Sequence, residues 1–429
     1  MIEKQVKLIT ALFFILFIFF AKKIKSQFLI KSAPFKSIES PVKSAEDLLP
    51  PELKVYGIDL EINFTNDLLY NISGGIKTGP AYIGLFYPNI NIDFSKIFGW
   101  ERTSMFISSI GNIGNNFNKK IGAEQGVDNI AAYNTWKIYE FWIEQMLFDD
   151  NLSLKFGLYD LNSEFDVRLS SLVFIEPSQA IGPDFSLSGK NGPSIFPTTS
   201  LSFVAKYQDD NGFYFQSAVL DGVPGDPNNP AGTHIIFKKN YGLLLAGETG
   251  YVNNIKDFGQ GYEKIFFGAW YCTSRFEKFH SAGNSGIPSY QTGNYGFYIS
   301  AEKFLWGRTL NSNEGLSAFF RIGISDKYVN PVDGYLGFGI NYIGLIPGRA
   351  GDELGIAFAS AHNSSKYIAR KKSESVNINK YETIIEMTYL YIMNDWFDIQ
   401  PDLQYIINPV NCRNNDYAFI AALRLILTL

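Results

Sequence analysis

From Val55 to the C-terminus the chain is a succession of short segments in which apolar and polar residues alternate. Clusters of Gly, Asn, Asp and Pro separate them. Alternation with a period of two places successive side chains on opposite faces of an extended strand. Leu201, Phe203, Ala205 and Tyr207 share one such face. Asp209, Asp210, Asn211 and Gly212 then mark a turn, and Phe213 to Leu220 reads as the returning strand. The stretch predicts a β-hairpin. Asn311–Gly315 sits in the same way between Ser300–Phe304 and Leu316–Ile324, and Asn411–Asp416 between Asp398–Ile407 and Tyr417–Leu429. No long segment after the N-terminus carries a clean helical stripe. Trp136, Tyr139, Glu140 and Ile143 are spaced for one, but the same stretch alternates and its surroundings favour a strand.

The last strand is the most informative. Counted back from the terminus, Leu429, Leu427, Leu425, Leu423, Ala421, Phe419 and Tyr417 make an unbroken apolar face. The opposite face carries Thr428, Ile426, Arg424, Ala422 and Ile420. A membrane barrel's closing strand, with one face in lipid and a mixed face in the lumen, has this pattern. The alternative is an edge strand of a soluble sandwich, which needs a second sheet to cover it. With about 23 residues for each strand and its connection, the chain holds about 16 strands. The expected fold class is all-β: an antiparallel transmembrane β-barrel of about 16 strands, wide enough for an aqueous channel.

Composition sharpens this. Aromatic residues make up 16% of the chain and charged residues 18%, against about 25% charged in an average soluble protein. Mean hydropathy is nevertheless −0.03. Strands that alternate between lipid and lumen average to neutral hydropathy. The aromatics then have places to go, Phe on the lipid face and Tyr and Trp at the two interfaces. Disorder is excluded by the large apolar content and low charge. A helical membrane bundle is excluded because no run of about 18 apolar residues follows Ala21. Net charge is −5, which argues against nucleic acid as a partner. Cys272 and Cys412 are either separate thiols or a pair formed in an oxidising compartment. His234, His280 and His362 lack any Cys/His metal spacing and read as loop or surface residues. No metal or cofactor is expected.

The N-terminus reads as a targeting segment. Lys4 and Lys7 precede an apolar run from Leu8 to Ala21, and Lys22, Lys23 and Lys25 follow it. The run suits an export signal and is short for a transmembrane helix. Cleavage after Ser26 makes residues 1–26 an export signal peptide; an uncleaved anchor is the alternative. Residues 27–54, with Pro34, Pro41, Pro50 and Pro51, read as an N-terminal arm or linker. Residues 55–429 are the barrel domain. Removing the signal takes away five lysines and one glutamate, which leaves the chain more acidic.

Several motifs then resemble one family in order along the chain. They are Asn71–Gly75, Phe98-Gly-Trp100, Ile138–Gln145, Gly157–Asp166, Asn191–Pro197, Gly344–Arg349 with Asp352, and Gln400–Pro409. Together they resemble the carbohydrate-selective porin family (OprB-like), from about Gly57 to the C-terminus. The resemblance implies a 16-stranded barrel in the cell outer membrane, reached through the periplasm, that passes mono- or oligosaccharides by diffusion. Outer-membrane lipid and the barrel assembly machinery are the other implied partners, with a homo-oligomer left open.

A sugar channel needs a polar constriction and aromatic surfaces, with binding weak enough for release. Glu140, Trp142 and Glu144 share one face of their strand, and Tyr139, Phe141 and Ile143 share the other. Charge on a lipid face is costly, so Glu140 and Glu144 are expected in the lumen with Trp142 between them. They either select the solute or are merely solvated there. Asp160, Asn162, Glu164 and Asp166 cluster at a strand end. They fit a folded-in loop that narrows the pore, or equally a turn held by side-chain hydrogen bonds. Arg168, Arg275, Arg321, Arg349 and Arg424 are the candidate basic partners. Arg321 alternates with Phe320 and Ile322 and is expected to point inward, whereas Arg349 suits a loop tie.

An enzyme is not expected. Barrel hydrolases need Ser/His or Asp/His groups, and no G-x-S-x-G elbow occurs. A porin for other small solutes with little sugar selectivity, or a structural barrel, stays as the alternative. A plugged structural barrel would need a larger N-terminal domain than residues 27–54 supply.

Overall fold

A computed structural model describes residues 56–114, 117–253, 258–279, 288–308, 313–412 and 416–429. The signal peptide, the 27–54 arm and His280 lie outside the described residues. The strands are β1 (Ile58–Gly74), β2 (Gly79–Asp93), β3 (Thr103–Gly114), β4 (Thr135–Leu147), β5 (Leu152–Tyr159) and β6 (Ser200–Gln208). They continue with β7 (Phe213–Asp221), β8 (Leu243–Asn253), β9 (Glu263–Glu277), β10 (Tyr290–Gly307) and β11 (Gly315–Ser325). The last are β12 (Val332–Ile343), β13 (Glu353–Asn363), β14 (Tyr381–Asn394), β15 (Phe397–Ile407) and β16 (Tyr417–Thr428). Each pairs antiparallel with its sequence neighbours, and β16 closes on β1 to give a 16-stranded barrel. Two of the inward-facing pairs at that seam are polar. Asp67 pairs with Arg424 at 2.7 Å, and the Thr428 hydroxyl donates to Asn63 at 2.8 Å.

The expected hairpins are present. The Asp209 carboxylate accepts from the amides of Asn211 and Phe213, and Gly212 takes φ 92°, which closes the turn between β6 and β7. In β16 the odd-numbered residues face outward and the even-numbered ones are buried inside, as the alternation requires. One expectation fails locally. The β3–β4 register shifts between Ser108 and Ser109, so Tyr139 and Glu140 both point inward. Tyr139 is therefore not on the lipid face with Phe141 and Ile143. It is fully buried and its hydroxyl donates to Asp160. A bulge places two residues opposite one and resets which face follows.

Both chain ends of the barrel lie at one rim. The connections there are short, down to residues 395–396 between β14 and β15. The long connections, 160–199 and 222–242 among them, lie at the opposite rim. Short periplasmic turns and long extracellular loops are the rule for these barrels, which orients the molecule. Exposed aromatics ring the periplasmic rim, with Phe98, Trp100, Phe148, Phe213, Trp306 and Trp396 in the girdle.

The wall has a low sector. β5, β6 and β7 have 8, 9 and 9 residues, whereas β10 has 18. The β4–β5 ladder begins only at Phe141 and Leu158, so the upper part of β4, paired with β3 on one side, has no strand on its other side. Unpaired backbone at a membrane edge is costly. Side chains from two loops cover the gap. Thr199 donates to the carbonyl of Tyr139, and Thr233 to that of Ile138 at 2.6 Å. Through the same gap the 160–199 connection turns inward.

Candidate functional site

A loop inside a barrel brings backbone amides away from water, and each needs an acceptor. Inward-facing glutamates supply them. Glu248 on β8 accepts from the Asp166 amide at 2.8 Å. Glu302 on β10 accepts from the amides of Leu169 and Ser170. Glu386 on β14 accepts from the Ile175 amide at 2.6 Å. Gln400 on β15 donates to the Val173 carbonyl, and Lys264 on β9 to that of Val167. The loop thus spans the lumen from β5 to β15.

Its centre is a buried ion cluster. Arg321 on β11 donates to Asp166 and to Asp184, both at 2.6 Å. Arg168 donates to the other oxygen of Asp166 at 2.6 Å. The Arg321 guanidinium lies 5.1 Å from the Tyr298 ring and 5.2 Å from the Tyr335 ring. Asp166, Arg168 and Arg321 are each no more than 1% exposed. A buried charge is tolerated only when paired and hydrogen-bonded, and here two cations meet two anions. Gly182 and Gly323 leave the space: a Cβ at either would stand 2.1–2.2 Å from the Arg321 or Asp184 side chain.

A second loop, residues 117–134, is held by the same device. Glu382 on β14 accepts from the amides of Glu124 and Gln125 and from that of Val410. Gln404 donates to the Val127 carbonyl. Arg424, paired with Asp67, also reaches Asn129 at 2.7 Å and Asp128 at 3.7 Å.

The first part of the long loop carries the remaining candidates. Asp160 accepts from the Asn162 amide at 2.8 Å and starts a short 3-10 turn; its own amide donates to Glu140. Asn162 donates to the Phe165 carbonyl. The side chains cap a turn, and the turn leads a loop into the lumen. Glu164 lies 2.9 Å from Lys155 and 3.7 Å from Lys206, and accepts from the Tyr159 hydroxyl. Burial alone would raise its pKa, but the two lysines and Tyr159 overcome that and hold it down at about 2. This contact is fully stabilising above the ordinary carboxylate pKa near 4.5. It is lost as pH falls through that value towards 2. Acid titration of refolded protein should show destabilisation in that window, and Glu164→Gln should remove that component.

The less buried part of the inner wall lies below, on β2 to β5. Trp142 donates its indole N–H to Glu140 at 3.2 Å, and Tyr87 reaches the same carboxylate at 3.4 Å. Phe106 on β3 stacks on Trp142 with centroids 5.1 Å apart, and Lys155 on β5 stands 4.8 Å from the Trp142 ring. Glu144 accepts from Ser153 and lies 3.5 Å from Lys155. Glu140 is buried, whereas Tyr87, Phe106, Trp142 and Glu144 stay partly exposed.

Of the other arginines, Arg349 is a loop tie as expected, bonded to Asp352 at 2.7 Å and to the Ile392 carbonyl. Arg275 is not a lumen partner. It is exposed on the outer face near the top of β9, over the Tyr290 ring at 4.4 Å. At that height a cation reaches the interface, where its cost on the lipid side falls to about 0–1 kcal/mol. Cys272 is buried and Cys412 is in the β15–β16 connection; both are free thiols.

Sequence reading missed the anchoring side chains Glu248, Glu302, Glu382, Glu386, Gln400 and Gln404. Glu386 and Gln404 carried a signal, each a polar residue between outward apolar neighbours (Ile385 and Met387; Leu403 and Tyr405), whereas Glu248, Glu302 and Glu382 each have a polar neighbour, Thr249, Lys303 and Thr383. Phe106 and Tyr87 carried no such signal.

A closed barrel with long loops at one rim, short turns at the other and one loop folded into a polar lumen defines an outer-membrane channel protein. Residues 77–429 match the model of the carbohydrate-selective porin, OprB family, and the chain belongs to that family. It is 25% identical to Porin B of Pseudomonas aeruginosa over 87% of this chain and 88% of the relative. Pseudomonas putida OprB, in its high-pH structure, superposes with a TM-score of 0.75 at 21% identity, covering 88% of this chain and 96% of that one. The outer membrane channel DcaP of Acinetobacter baumannii shares the barrel more loosely, with a TM-score of 0.51 at 8% identity, over 87% of this chain and 98% of that one. The protein is an outer-membrane porin that passes sugars passively, and the family is one of channels, not enzymes.

Proposed function

We propose that the sugar path runs along the inner wall of β2–β5 beneath the folded loop. The observation that supports it is the strip of partly exposed Tyr87, Phe106 and Trp142 beside Glu144. An apolar strip bordered by acceptors and a lysine suits a pyranose, which has hydroxyls at its edge and C–H groups on its faces. Trp142 is flanked by Phe106 on one side and Lys155 on the other, so its exposed part acts with Phe106 as one surface rather than as a lone stacking ring. Asp160, Asn162, Glu164, Asp166, Arg168 and Arg321 act through the loop they hold, since their side chains are buried. Glu140 orients Trp142.

Glu144→Gln tests the role of that carboxylate. The amide keeps its shape and loses its attraction for Lys155, which is worth about 0–1 kcal/mol in such a setting. Sugar permeation in liposome swelling is expected to change about threefold, with the barrel intact. Unchanged permeation would leave Glu144 as a solvated wall residue.

Residues 1–26 act in this reading as the export signal and 27–54 as a periplasmic arm. The outer apolar face meets outer-membrane lipid after insertion by the assembly machinery.

A further inference from the structure

The arginines of the lumen, Arg168, Arg321 and Arg424, are each paired with an acid, but several lysines at the extracellular mouth are not. The β13–β14 connection, residues 364–380, carries Lys366, Arg370, Lys371, Lys372 and Lys380 against one acid, Glu374. Its helix, Ser365–Ser373, belongs to this extracellular connection. Tyr367 lies close to Glu124 of the inward loop, and Arg370 lies over the Phe279 ring at 5.7 Å. Backbone bonds tie three neighbouring loops together here. The Phe279 amide donates to the Tyr328 carbonyl at 2.8 Å, and the Ser364 amide to that of Pro331 at 2.7 Å.

At their junction three ammonium groups surround one ring. Lys278, Lys327 and Lys366 stand 5.5, 5.6 and 5.4 Å from the centroid of Tyr328. Each comes from a different loop. Among the described residues none of the three forms an ion pair. The nearby acids are engaged elsewhere: Glu277 and Glu374 with Arg370, Glu374 also with Lys371. Asp326 is buried and accepts from the Tyr328 amide. Tyr328 itself is 40% exposed. Three cations held together without an ion-pair partner repel one another, and an anion relieves that. The accessible aromatic ring between them adds a surface for a sugar ring.

We propose that Lys278, Lys327, Lys366 and Tyr328 form an extracellular capture site for an anionic saccharide, one bearing a phosphate or a carboxylate. This rests on the sugar-channel reading of the lumen below it. The site raises the local concentration of such solutes at the mouth and leaves neutral sugars unaffected, because only the charge is steered.

The test compares the full-length protein with a Lys278→Gln, Lys327→Gln, Lys366→Gln variant, in phosphatidylcholine liposomes. Glucose, glucuronate and glucose 6-phosphate are the probes. At low salt the variant should lose about tenfold in uptake of the two anionic sugars and nothing in uptake of glucose. The difference should shrink in about 0.5 M salt. Equal anionic uptake by both proteins would overturn the proposal. If glucose did not pass at all, the channel reading would fall, and calorimetric titration of glucose 6-phosphate in detergent would still decide the site. Lysine-dependent binding supports it, and equal binding overturns it. Lysine-dependent binding of lipopolysaccharide vesicles, without any for the free sugar phosphate, would assign the site to a lipid headgroup and also overturn it.

Discussion

Arg321→Gln is expected to raise single-channel conductance and abolish sugar discrimination. Arg321 is the only wall residue, among those described, that binds both Asp166 and Asp184. Asp166 keeps Arg168 when it is lost, but Asp184 is left buried beside glycines 182 and 323 with no cation. Removing one partner of a buried pair costs about 3–5 kcal/mol, because the remaining charge stays desolvated. The barrel ladder does not depend on this contact, so the strain falls on the loop. The loop segment around Gly182 should leave the wall. The readouts are conductance in planar bilayers and the heat-modifiable shift of the folded barrel on gels. A larger conductance with the folded shift retained is the expected pair of results. Unchanged conductance and unchanged sugar block would show that the loop is held without Arg321.

Trp142→Ala is expected to weaken sugar block of the ion current by about tenfold. The side chain supplies the partly exposed aromatic surface on the lumen face of β4 and stacks on Phe106. Aromatic contacts of this kind contribute about 0.5–1.5 kcal/mol beyond burial, and the upper end is a factor of about ten. The ion conductance itself should rise modestly, since a ring is removed from the wall. Trp142→Phe should recover part of the block. It keeps part of the aromatic surface and loses the indole N–H that donates to Glu140. If alanine and phenylalanine variants both blocked like the unsubstituted protein, the strip on β3–β4 would not be the sugar path.

Much of the barrel was legible in the alternation, because a period of two with an apolar outer face is what a lipid-facing strand demands. β16 shows this best, where Arg424 falls on the inner face and Leu423 and Leu425 on the outer. The inward direction of Arg321 followed from the same logic. Tyr139 did not, since a bulge changes the face without leaving a sequence mark. The site was legible in part. Asp160 to Asp166 announced a polar turn, but whether a turn continues into solvent or into the lumen depends on distant acceptors. Those acceptors, Glu248, Glu302 and Glu386, lie 82 to 211 residues away from the amides they hold. Local pattern cannot pair residues across that distance. Arg275 failed for another reason: its height in the membrane, not its face, decides whether a charge is tolerated.

The sugar path beneath the folded loop should make the channel selective. Planar-bilayer current measured against a graded series of neutral sugars tests it most directly. The expected result is a saturable fall in current with increasing sugar concentration, which differs between sugars of different size and weakens in Trp142→Ala. A current that no sugar blocks, in a channel equally permeable to sugars and to charged non-sugar solutes of similar size, would contradict it.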